Sequence, residues 1–307
     1  MCNTILDVFG VNLYILCAQP VFNLQWLLDG LFIGSVYALS AYGLALVWGV
    51  TNVKNLAQGD FVIAGGYITF WLFNFGIHPL IGMWVSAVIM FGLGVLMYHA
   101  IIKWVIDKDL FTSLLATFGI ALVTQQVLNL IFGPEVQIVN SGLGSWRIFG
   151  EISVAQIKVV ALVICVALAF AVVMFMKRSR MGQAIRATSQ DPRAARVMGI
   201  DTEKVYSFTF ALNAAICGAA GGLVVMIWNI QPFYGINYSI RAFVIVTSAG
   251  LGNLVGVILA GLGLGSLEQF GSFVFGIEWQ QAIVMLSLIG VLIFRIFSYR
   301  KNRKAVS

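Results

Sequence analysis

Charge is scarce in this sequence. Asp, Glu, Lys and Arg together make up 10% of its 307 residues, against about 25% in a soluble globular domain. Uncharged runs this long cannot all be hidden in the core of a chain of this size, so lipid is their solvent. Proline is rare as well, with 5 residues against 32 glycines, which suits close helix packing better than a loop-rich fold. Cysteine is limited to Cys2, Cys17, Cys165 and Cys217. The absence of any CxxC spacing argues against a metal site or a disulfide framework. His78 and His99 are isolated and read as interface or helix-end residues. No GxxxxGK[ST] phosphate loop occurs, so the chain has no ATP site of that type. There is no GxSxG or HExxH and no nucleophile with its base. No catalytic residue, metal, resident cofactor or nucleic-acid partner is expected.

What is present is apolar sequence in blocks of membrane-crossing length. Candidate helices cover roughly 30–52, 60–77, 80–102, 110–132, 155–176, 205–229, 254–275 and 279–297. Most reach the roughly 20 apolar residues that a bilayer crossing needs. A transmembrane barrel would show alternating ten-residue segments instead. The expected fold is all-α, a polytopic bundle of about eight or nine membrane helices in one domain spanning 1–307. Residues 239–251 are short, and form either a ninth crossing or a re-entrant half-helix. Residues 1–23 read as an interfacial N-terminal segment, with a crossing over 4–18 as the alternative. They lack the basic start of a cleaved signal peptide.

Basic residues set the orientation. Seven of the eighteen lie at 177–204. Five more, Arg295, Arg300, Lys301, Arg303 and Lys304, lie at the C-terminal end. The positive-inside rule places both regions in the cytoplasm. The tail 298–307 is then cytoplasmic, provided that 239–251 counts as a crossing. The chain is expected in the plasma (inner) membrane as a multi-pass protein.

The segment 177–204 reads as a cytoplasmic loop containing a short helix. Ser189 or Asp191 can cap it, and Pro192 suits its first position. The helix should run from about Pro192 to Met198 and stop at Gly199 in a left-handed conformation. Ala194 and Ala195 should lie on its surface. Such a helix either docks into a partner's groove or belongs to a basic loop that anchors topology.

Two residue sets inside the apolar blocks stand out. Gly30/Gly34, Gly218/Gly222, Gly252/Gly256 and Gly261/Gly265 have GxxxG spacing, which in lipid lets helix backbones approach closely. Polar residues form the second set. Gln125 and Asn129 share one helical face. Asn213 and Glu268 sit among apolar neighbours, and an ionisable residue in a span is a candidate for function. The alternative for Glu268 is a hydrogen bond to a neighbour near a helix end. Asp60 opens a helix, where a carboxylate favours the positive end of the dipole. The break from Asn52 to Asp60, which includes Asn55 and Gln58, is either a plain turn or a discontinuity in a path-lining helix.

Taken together, several blocks resemble the permease subunit of bacterial branched-chain amino acid ABC transporters. The stretch GLFIGSVYALSAYGLALVWGVTNVKNLAQGDFVIAGGY (Gly30 to Tyr67) is similar to that family's first block, with Gln58 where the family commonly has His. The segment MGQAIRATSQDPRAARVMGI resembles its coupling segment. There Arg193-Ala194-Ala195 and Gly199 are similar to the importer signature Glu-Ala-Ala-xxx-Gly. NAAICGAAGGL and AFVIVTSAGLGNLVGVILAGLGLGSLEQF look like the remaining blocks, whereas the usual Arg-Pro-x-Gly-Leu ending is absent. The resemblance implies a transport subunit that does no chemistry itself. Its implied partners are a second, similar permease subunit, two cytoplasmic ATP-binding subunits that hold ATP and Mg, and an external substrate-binding protein. Coupling to the ATPases would involve Arg186, Asp191, Arg193, Ala194, Ala195 and Gly199. The substrate path would draw on Asn55, Gln58, Asp60, Gln125, Asn129, Asn213 and Glu268. Urea, a short amide or another small solute is an alternative cargo on the same fold. An ion-coupled secondary transporter is a more distant alternative.

Overall fold

The computed structural model describes residues 20–106, 108–148, 152–250 and 252–304. Most of the N-terminal segment expected at 1–23 lies outside them. Polar and glycine breaks divide the apolar sequence into eleven α-helices among the described residues. They are α1 (Pro20–Thr51), α2 (Gln58–Asn74), α3 (Pro79–Ala100), α4 (Leu110–Phe132), α5 (Gln156–Arg178), α6 (Arg180–Gln190), α7 (Pro192–Val197), α8 (Thr202–Ile227), α9 (Gly235–Ala249), α10 (Leu254–Phe275) and α11 (Gln280–Lys304).

Local chemistry explains many of these boundaries. Pro79 sits in the first turn of α3, where its missing N–H costs nothing. Asp109 caps α4 by accepting from the Thr112 amide at 3.1 Å, and Gly133 ends the helix at φ 77°. Asn253 caps α10 by accepting from the Gly256 amide at 2.9 Å, and Gly276 ends it at φ 100°.

Seven helical segments are long and apolar enough to cross a membrane, and the chain is a multi-pass membrane protein. They comprise α1, α4, α5, α8, α10, α3 with its extension to Trp104, and Ile277–Arg295. The segment expected to cross at 60–77, and the segment 239–251 expected either to cross or to re-enter, form the shorter helices α2 and α9, of 17 and 15 residues. Both are apolar because protein surrounds them. The last helix also continues through Lys304, so the basic tail extends a helix as far as it is described.

Two long helices form the centre. α1 and α8 are mostly buried, whereas α4 and the last span show most of their surface. The most extensive packing pairs α1 with α10 and α3 with α8. In the first pair, Gly30 faces Gly265 and Ser266, while Gly34 faces Gly261 and Leu262. In the second, Gly218 faces Ala87 and Met90, and Gly222 faces Met83. These glycines act as the GxxxG spacing predicts. Gly252/Gly256 does not. Gly252 lies before the cap of α10 at φ 80° with open space around it, and Gly256 meets its own cap, Asn253. Spacing alone could not show that one of the pair stands outside a helix.

The one sheet among the described residues is an antiparallel hairpin, β1 (Ser145–Ile148) with β2 (Ile152–Ala155), in the connection before α5. Gln137 in that connection pairs with Ile230, just after α8.

Candidate functional site: the junction of two interrupted helices

The break after α1 is not a surface turn. Residues 52–57 run back into the bundle and deliver Gln58 beside the middle of α1 and α8. There the Gln58 amide donates to the Ser40 carbonyl at 2.6 Å and to Asn213 Oδ1 at 3.0 Å. Thr117 of α4 holds this strap. It donates to the Lys54 carbonyl at 3.2 Å and accepts from the Leu56 amide at 3.3 Å.

The short helices α2 and α9 begin against each other. The Gly59 amide donates to Ser239 Oγ at 2.8 Å, and that hydroxyl donates to the Leu56 carbonyl at 2.8 Å. A Cβ on Gly59 would collide with the Gly235 carbonyl, so glycine is required for this approach. Asp60, in the first turn of α2, accepts from Gln125 Nε2 of α4 at 2.8 Å.

This junction is buried and incompletely bonded within the protein. Asn55, Gln58 and Asn213 are fully buried. Yet Asn55 Nδ2, Gln58 Oε1 and Asn213 Nδ2 have no hydrogen-bond partner among the described residues. Each such atom costs about 1–3 kcal/mol relative to a bonded one. Asn129, four residues beyond Gln125, likewise has an unpartnered Oδ1.

A second polar cluster is complete. Glu268 of α10 is fully buried and receives Arg241 of α9 through two nitrogens, Nε at 3.0 Å and Nη2 at 2.6 Å. Gln280 of α11 donates to the same carboxylate at 2.6 Å, and Tyr37 of α1 at 3.3 Å. Arg241 Nη1 donates to the Asn237 carbonyl at 3.1 Å. The guanidinium also lies 5.1 Å from the Tyr37 ring centre, within cation–π range. The cluster ties together four helices. The ion pair supplies charge neutrality, and the additional bonds satisfy the remaining lone pairs, which a buried pair needs to be tolerated.

The segment between α5 and α8 holds two helices, not the single short one expected. Ser179 caps α6 by accepting from the Gly182 amide at 2.8 Å. Asp191 caps α7 by accepting from the Arg193 and Ala194 amides at 2.8 and 3.1 Å. Those amides hold the Asp191 carboxyl below the usual carboxylate range. The helix ends at Val197, and Gly199 follows at φ 82°. Arg186, Arg193, Ala194, Val197 and Met198 are exposed. Ala195, expected on the surface, is buried. A six-residue helix lying on the bundle must turn one face inward, and Ala195 is on that face.

The branched-chain amino acid transport system / permease component family matches residues 26–292. This chain belongs to that family. Among its relatives is the high-affinity branched-chain amino acid transport system permease protein BraD of Pseudomonas aeruginosa. It is 28% identical over 287 residues, covering 89% of this chain and 94% of BraD. The permease protein LivH of Escherichia coli K12 is 26% identical, covering 90% of this chain and 94% of LivH. A probable LivH of Methanocaldococcus jannaschii is 30% identical, covering 80% of each chain. No solved structure matches. Family members are transport permease components, so the chain is a transport subunit.

Within this permease, the structure brings Gln58 together with Asn213, and Asp60 with Gln125. It places Glu268 in a different cluster. Sequence reasoning missed Arg241. Its signal was available, because a charged side chain in the apolar segment 239–251 is the kind of residue that needs a buried partner.

Proposed function

We propose that this chain is the membrane subunit of an ATP-driven importer for branched-chain or related small amino acids. The supporting observation is the paired interruption, in which α2 and α9 begin N-terminus to N-terminus inside the bundle. Discontinuous helices of this kind build solute sites in other transporters. Family membership supports the substrate class, since BraD and LivH are named for branched-chain amino acids.

In this reading one of two ATP-binding subunits docks at α6 and α7 of this chain on the cytoplasmic side, and the other docks on the second permease subunit. Arg186, Arg193 and Ala194 are exposed for that contact, with Val197 and Met198 as apolar tips. Ala195 and Gly199 hold the shape of the element. The exposed faces of α4 and α11 meet lipid and a second permease subunit. An external binding protein delivers the solute. Nucleotide-driven movement passes from α6 and α7 to the strap and the α2–α9 junction. The unpartnered atoms of that junction find partners in a second arrangement of the bundle, as a two-state element requires. The Arg241–Glu268 cluster holds its arrangement throughout.

The test is uptake of radiolabelled leucine into vesicles carrying this chain with its assembled partners. Uptake that needs both internal ATP and the binding protein supports the reading. Uptake driven by an ion gradient without ATP overturns it. ATP-dependent uptake of a different solute keeps the machine and changes its cargo.

A further inference from the structure

A cleft of about 350 Å³ opens at the basic end of the bundle, between α1, α5, α6 and the start of α10. Its walls are apolar, formed by side chains such as Leu46, Val173 and Val255. Two cations stand in its lining, Lys177 in the last turn of α5 and Arg186 on α6. Both are exposed, and neither has a carboxylate partner among the described residues. No acidic residue lines the cleft.

We propose that this cleft binds one anionic phospholipid of the cytoplasmic leaflet. The leaflet follows from the orientation in the reading above. The arrangement matches the order of groups in a lipid, with a charged head at the membrane surface and a hydrocarbon chain alongside the spans. Basic pockets between membrane helices on the cytoplasmic side recognise anionic headgroups in this way. A free phosphate would use the cations and leave the apolar walls exposed to water, which the hydrophobic effect opposes. Gly49 leaves room for the chain, because a Cβ there would meet nothing within 4 Å. The headgroup site would lie on α6, so the lipid bridges a membrane helix and the segment that faces the ATPases.

The purified full-length chain in detergent is titrated with dioleoylphosphatidylglycerol and with dioleoylphosphatidylcholine, and bound lipid is counted by native mass spectrometry. Wild type should retain phosphatidylglycerol at a concentration at least tenfold lower than phosphatidylcholine. The double variant Lys177→Gln/Arg186→Gln should lose that preference. Gly49→Leu fills the cleft with every charge in place, and should weaken retention of both lipids. Size-exclusion profiles matching wild type establish that the variants are folded. Equal retention of the two lipids by the wild type, an unchanged preference in the double variant, or unchanged retention of both lipids in Gly49→Leu, overturns the proposal. Displacement of phosphatidylglycerol by millimolar inorganic phosphate assigns the cations to a free anion and also overturns it.

Discussion

The two buried polar clusters of this permease solve the same problem differently. Around Glu268 every strong partner is supplied, and four helices contribute. Around Gln58 three amide atoms are left without partners among the described residues. Burial is similar in the two places, so burial does not explain the difference. A complete network fixes one arrangement, because any movement breaks bonds that lipid cannot replace. An incomplete one leaves less to lose when helices shift. The contrast separates a part of the bundle built to hold from a part able to rearrange.

The largest effect should come from breaking the complete cluster on one side. Arg241→Met or Glu268→Leu strands the other charge, and should cost about 3–5 kcal/mol. The double variant should recover most of that loss in thermal unfolding of the solubilised protein. Equal losses in the single and double variants would contradict the pairing.

A smaller loss, about 1–3 kcal/mol, is expected for Gly59→Ala, which overpacks the junction. Uptake should fall more steeply than stability, since α2 and α9 are pushed apart where they meet. Gln58→Leu is milder still for folding, at about 1 kcal/mol. It removes three hydrogen bonds, to the Ser40 carbonyl, Asn213 Oδ1 and Cys217 Sγ, from a cluster that is already incomplete, and the comparison is sharpened if uptake is lost while the melting temperature barely moves.

The smallest effect concerns the α7 cap. Asp191 has a depressed pKa in the folded chain, so its contribution is complete above the ordinary carboxylate value of about 4. It is lost as pH falls through the lower folded value. Asp191→Asn, which also caps helices, should weaken that acid dependence while retaining α7. Amide exchange at Arg193 and Ala194 reports both.

Much of the bundle was legible because a crossing helix announces itself by length and apolarity. Helices α2 and α9 are apolar for a different reason, burial in protein, and composition cannot tell the two solvents apart. Their shortness is the available clue, plainer in 239–251 than in 60–77. Helix α6 is hidden although Met181, Ile185 and Thr188 recur at helical spacing, because the basic residues before and among them, Lys177, Arg178, Arg180 and Arg186, read as loop. The candidate site was legible as a set of polar residues and not as a geometry. Gln58 and Asn213 stand 155 positions apart, and nothing local records their meeting. Arg241 lies in a segment whose length fits a crossing or a half-helix equally, so the sequence does not place its side chain.

The division between the holding and the rearranging cluster is tested most directly by hydrogen exchange of the assembled importer in lipid, with and without ATP and loaded binding protein. The account predicts that amide exchange over 52–60 changes with nucleotide while exchange over 237–245 stays constant. Constant exchange over 52–60 together with a nucleotide-dependent change around Arg241 would contradict it.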